Sequence, residues 1–233
     1  MSFRRLVLLI ALFVPFGSAS AQHPLVLNKL NAWNEAAPMP GESAIKAEVH
    51  RKAEEIYRAS IACANSNIII DKIEPATADR NAFNALVQGT MKNAWFVTTR
   101  MPECDPAPVR YMVMQYIDNS LKAIRVNRGE AYAWESLIGD TFPLVQLAAI
   151  SALKRKGSSC SVEGNAALGV TRIASKESGL GPDIFGIRYS GSWTEVWPIE
   201  VCRQTVEVLI RFTADGDGGA FTNIPGDQIR VLP

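Results

Sequence analysis

Trp193, Glu195 and Trp197 stand at alternating positions in the C-terminal part of the chain. On a β-strand, residues two apart project to one face, so this spacing sets a carboxylate between two indoles. Two indoles around a carboxylate can stack on and hydrogen-bond a sugar or a peptide, and Tyr189 lies just upstream. These four residues, Tyr189, Trp193, Glu195 and Trp197, are therefore the candidate binding residues. The competing reading makes both indoles part of a small sheet's core, with Glu195 paired to an arginine. Aromatic bulk favours it, because aromatic side chains dominate small cores.

Catalytic alternatives are thin. A carboxylate-based hydrolase needs two acids in one cleft, and Glu195 with Glu200 is the nearest pair, but an odd separation on a strand sends them to opposite faces. Serine or cysteine nucleophiles need a base, and the only histidines are His23 and His50. No Gly-x-Ser-x-Gly elbow occurs. Residues 179–186 are glycine-rich but lack both the Gly-x-Gly-x-x-Gly spacing and a Lys-Ser/Thr pair. The run Asp215-Gly216-Asp217-Gly218-Gly219 looks superficially like a calcium loop, yet its twelfth position is Gly226, where an EF-hand needs a bidentate Glu. It reads better as a hairpin turn. These exclusions lean toward a non-enzymatic binding or envelope-associated module, with no cofactor and no metal, and leave the carboxylate hydrolase as the alternative.

The four cysteines are Cys63, Cys104, Cys160 and Cys202. None are spaced as metal-ligand pairs, which makes zinc a weak reading. An even number in an exported chain reads as two disulfides. Three pairings are open; the favoured one joins Cys63 to Cys104 and Cys160 to Cys202, because each bridge then closes a loop within one half of the chain.

Export is read from the N-terminus. Arg4 and Arg5 precede the apolar run Leu6 to Phe16, and small residues follow through Ala19 and Ala21. That is the layout of a signal peptide over residues 1–21, cut before Gln22. The run is too short to cross ~30 Å of hydrocarbon, which takes about 20 residues, so no span is expected after cleavage. The remaining 212 residues carry 22 basic against 23 acidic side chains. A near-neutral chain gives no electrostatic case for nucleic acid or an anionic membrane. A periplasmic or secreted soluble protein with an envelope or extracellular protein or glycan as partner is the expectation.

The elements that must position the candidates follow from periodicity. Residues 22–42 show no clear period and read as a lead-in. Ser43 resembles an N-cap for a helix with Ile45, Val49, Ala53, Ile56, Ser60 and Cys63 along one face. Glu48 with Lys52 and Glu54 with Arg58 have the i, i+4 spacing of helix ion pairs. Residues 90–99 favour a strand, and Val109 to Tyr116 with Leu121 to Val126 flank the turn formers Asp118, Asn119 and Ser120 as a hairpin. Asp140 or Thr141 caps an apolar helix that holds Pro143 in its first turn and ends at Lys156 and Gly157. Beyond Ser158 short β-type runs recur, the clearest alternating Val206, Val208, Ile210 and Phe212. The expected fold is α+β: an N-terminal helix with a β-meander and a central apolar helix over residues 43–157, then a small antiparallel β part over residues 158–233.

The run Gly191-Ser192-Trp193-Thr194-Glu195-Val196-Trp197, followed by Cys202, Phe212, Asp215-Gly216 and Gly218-Gly219, resembles a C-terminal signature of uncharacterised exported bacterial proteins. Arg203 stands where such relatives tend to have glycine. The resemblance covers about 30 residues; it implies export and a β-rich C-terminus, and no activity.

Overall fold

A computed structural model describes residues 24–57, 67–161, 166–177 and 179–233. The expected signal peptide and Gln22, with His23, Arg58, Ser60 and Cys63, lie outside the described residues.

The fold is α+β. Helix α1 (Pro24–Ala36) occupies the stretch expected as an aperiodic lead-in. Its organisation comes from contacts distant in sequence, which a local period does not record. Leu30 is fully buried, Trp33 meets Phe83 edge-on at 5.7 Å, and Asn34 Nδ2 donates to Thr77 Oγ1. Helix α2 (Glu42–Tyr57) starts one residue before Ser43 and buries Ile45, Val49 and Ala53. Glu48 pairs with Arg51 at i+3 instead of Lys52. Its Oε1 also accepts the Ala123 N–H, which fastens the helix to the sheet.

Strands β1 (Ile69–Pro75), β2 (Met91–Met101), β3 (Asp105–Tyr116) and β4 (Leu121–Gly129) form an antiparallel meander. Helix α3 (Arg80–Val87) lies between β1 and β2, N-capped by Asp79, whose Oδ1 accepts the Asn81 N–H. The β3–β4 turn is held as its residue types imply: Asp118 Oδ1 accepts from Ser120, and Asn119 takes φ 67°.

Helix α4 (Glu135–Arg155) has its N-cap at Trp134, six or seven residues before the Asp140 or Thr141 cap that the local signals give, with Pro143 inside it. The reason is a remote cap. Asp79 Oδ2 accepts the Ser136 N–H at 2.9 Å, satisfying one of the first-turn donors that no neighbouring residue serves. Pro143 has no N–H for the Gly139 carbonyl, and Gly139 is exposed, so water can take that role. By length and composition α4 is apolar enough to cross a membrane, and half of its most apolar stretch is buried inside the fold.

The C-terminal part comprises β5 (Ala167–Leu168), β6 (Val170–Lys176), the small hairpin β7 (Asp183–Ile184) and β8 (Ile187–Arg188), then β9 (Ser192–Val201), β10 (Gln204–Ala214), β11 (Ala220–Asn223) and β12 (Arg230–Val231). All but β7 and β8 join the meander in one ten-stranded sheet, along the path β1-β2-β3-β4-β6-β9-β10-β11. The joint between the halves is a short parallel pairing, Arg128 with Val170 and Gly129 with Thr171. Gly129 sits at φ +94°, and a Cβ there would lie 2.1 Å from the Thr171 carbonyl oxygen. Only glycine allows this approach.

Both faces of the meander are covered. Trp95, Val97, Tyr111 and Val113 pack with Ile45, Val49 and Ala53 of α2. Ala94, Phe96 and Met112, on the opposite face, share a core with α4 and with Trp193, Trp197, Val206, Val208, Ile210 and Phe212. One core therefore spans both halves of the chain. The β9–β10 connection is Cys202-Arg203, with φ 52° and 61°, the two-residue left-handed turn that suits a hairpin's twist. Cys202 is bonded to Cys160, as expected, with Cα atoms 5.8 Å apart. The Cys63–Cys104 pairing involves a residue outside the described set.

Candidate functional site

The Trp-Glu-Trp run lies on β9, and the sheet places all three side chains on one face, directed into the core. Trp193, Glu195 and Trp197 are each 0% exposed. Trp193 stacks on Phe212 with centroids 5.2 Å apart and lies 6.0 Å from Trp134. The two indoles thus form no exposed platform.

Glu195 is held by N–H donors alone. Its Oε1 accepts from Tyr132 N at 2.7 Å, Ala133 N at 2.9 Å and Trp193 Nε1 at 2.9 Å. Its Oε2 accepts from Trp197 Nε1 at 2.7 Å. The expected arginine partner is replaced by these four neutral donors. Arg110, packed over Phe96 at 4.0 Å, touches the Ala133 carbonyl rather than the carboxylate. Burial pushes the Glu195 carboxyl above its ordinary value, and the hydrogen bonds from Trp197, Ala133, Tyr132 and Trp193 only partly offset it. Glu200 is exposed, on the opposite face of β9, so the two acids of the alternative hydrolase reading do not meet in a cleft. His50 is on the outer side of α2, paired with Glu54.

The Glu195 clamp positions something else. Tyr132 and Ala133 lead into Trp134, the residue before α4, and Asp79 then holds Ser136. Two buried carboxylates therefore fix the start of α4, and that start forms one wall of a cleft of about 810 Å³. The volume is in the range of ligand sites. Val26 and Leu30 of α1, Phe83 of α3, and Leu137 and Leu144 of α4 supply apolar lining. Tyr189 and the β10–β11 turn, with Ala220, Phe221 and Thr222, also line the cleft. Of the four candidate binding residues, Tyr189 alone lines this cleft.

The cleft's rim is open and apolar. Phe221 is 71% exposed, Leu144 52% and Val26 39%. Its charged lining is Arg80 with Asp140, Asp215 and Asp217. Arg80 grips Asp140 through two hydrogen bonds, at 2.7 and 2.8 Å, which hold the Asp140 carboxyl below its ordinary value. Asp215 Oδ1 accepts from Asp217 N and Gly219 N, shaping the turn. The sequence hid this site because its walls come from α1, α3, α4 and β11. The available clue was the apolar character of α4, which leaves Leu144 exposed in the cleft's lining and Leu147 exposed one turn on. Among the described residues no three of His, Cys, Asp and Glu group as a metal centre. No protein-family model, curated protein or solved structure matches the chain.

Proposed function

We propose that the protein is exported to the periplasm or the cell exterior, loses residues 1–21, and acts there as a non-enzymatic module that binds an envelope or extracellular protein through the cleft. The observation that carries this reading is the rim: Phe221, Leu144 and Val26 are large apolar side chains left in solvent around one concave surface. Exposed apolar groups gathered at a cavity mark interaction sites more often than scattered ones do. The Cys160–Cys202 disulfide supports an oxidising compartment. A glycan stacked on Trp193 and Trp197 has no support, since both indoles are enclosed.

A benzophenone amino acid at position 221, expressed in the exporting cell and irradiated, tests the reading. We expect a discrete protein adduct that disappears when Leu144→Glu is added. Absence of any adduct, or one indifferent to Leu144→Glu, would reject the cleft as the partner site.

A further inference from the structure

The cleft's chemistry narrows its occupant. Strand β11 ends the sheet path and, among the described residues, pairs only with β10. Its outer edge is therefore unpaired, the arrangement that accepts an added strand. Ala220, Phe221 and Thr222 all line the cleft. Side chains of consecutive strand residues point to opposite faces, and lining by three in succession fits a cavity that reaches round the strand's edge. That edge offers backbone N–H and C=O groups, and Leu144 and Val26 are apolar residues of the same cleft's lining. The described charged lining is three carboxylates against one guanidinium, a net charge of −2.

We propose that the cleft binds an extended peptide segment that adds as a strand to the free edge of β11, with apolar side chains against Leu144, Val26 and Phe221 and a lysine or arginine toward Asp215 and Asp217. The unpaired edge supplies main-chain hydrogen bonds, the walls select apolar residues at alternate positions, and the acidic rim selects a basic residue. With a strand rise of about 3.3 Å per residue, the four residues of β11 match a ligand stretch of similar length. This rests on the cleft being the partner site, and it goes further in naming what the partner presents.

The test uses the purified mature protein and a fluorescent acetylated hexapeptide of alternating valine and lysine. We expect saturable binding by anisotropy, weakened at least about tenfold when lysine is replaced by glutamate, and about tenfold or more when alternate backbone nitrogens are methylated, which removes strand pairing. Phe221→Ser should weaken binding similarly with the melting temperature unchanged. Failure of the parent peptide to saturate overturns the proposal, as does equal affinity for the methylated or glutamate peptide. Displacement of the bound peptide by decylammonium at lower concentration than by unlabelled peptide also overturns it, because an amphiphile would then be the better occupant. A position-221 adduct in cells alongside failed peptide binding would leave the cleft as the partner site and remove only the strand-addition chemistry; no adduct would remove both.

Discussion

Two of the buried carboxylates, Asp105 and Glu195, differ in one respect of their surroundings. Asp105, 2% exposed, meets a cation: Arg128 donates to both its oxygens, and Tyr57 adds a hydrogen bond of 2.8 Å. Burial pushes the Asp105 carboxyl up, but the bonds from Arg128, Tyr57 and the Ala107 N–H, with the charge of Arg128, outweigh it and leave it below its ordinary value. Glu195 has as many donors but no cation among them, and stays above its ordinary value. Satisfying a buried carboxylate's lone pairs is thus separate from stabilising its charge. Asp105 acts as half of an ion pair at a strand start. Glu195 acts as a four-way acceptor that ties the loop before α4 to two core indoles.

The sharpest way to break this comparison is Glu195→Ala, which leaves four N–H groups without acceptors in the core. We expect a loss on the order of 5 kcal/mol, measured by urea unfolding. Removing the other fastening of the C-terminal part comes next. Cys160→Ala opens a loop of sequence separation 42, and by the chain-entropy relation the cost is about 3 to 4 kcal/mol, read the same way under non-reducing conditions.

Glutamine and asparagine substitutions sharpen the contrast through pH. Glu195→Gln keeps the three-fold acceptor and loses the one facing Trp197, a cost of about 1 to 3 kcal/mol. Because the folded Glu195 value is raised, its contribution is full below its unfolded value of about 4.3 and is lost as pH rises through the folded value. The wild type's advantage over Glu195→Gln should therefore shrink as pH increases from 4. For Asp105 the folded value is depressed. Its contribution is full above the unfolded value of about 3.9 and is lost as pH falls through the folded value, so the advantage over Asp105→Asn should shrink as pH drops below 4. Parallel slopes in a pH series of denaturant melts would contradict the assignment of different causes. The smallest effect is a gain. Arg203 occupies a left-handed turn position at φ 61°, which costs a non-glycine residue about 1 kcal/mol, and Arg203→Gly should raise stability by roughly that amount.

Legibility in the sequence followed the range of the causes. The stripe Ile45, Val49, Ala53, the β3–β4 turn and the alternation on β10 are local patterns, and all three are present as read. The start of α4 escapes a local reading because its cap, Asp79, lies 57 residues from Ser136. Helix α1 was invisible because its supports, Thr77 and Phe83, come from other elements. The Trp-Glu-Trp spacing did show that three side chains share a face; it could not show whether that face meets solvent, since this depends on α4 packing over it. The cleft was hidden for the same reason, apart from the exposed leucines of α4.

The division of labour between an aromatic core clamp and a separate apolar cleft is tested most directly by thermal melting of Trp193→Ala/Trp197→Ala beside Phe221→Ser. Truncating each buried indole costs about 3 to 5 kcal/mol, so we expect the double variant to lose more than about 12 °C or to lose its cooperative transition. Phe221→Ser, an exposed change, should melt within about 2 °C of the parent. A double variant that melts like the parent would contradict the clamp, and a Phe221→Ser protein that fails to fold would contradict the cleft's independence from the core.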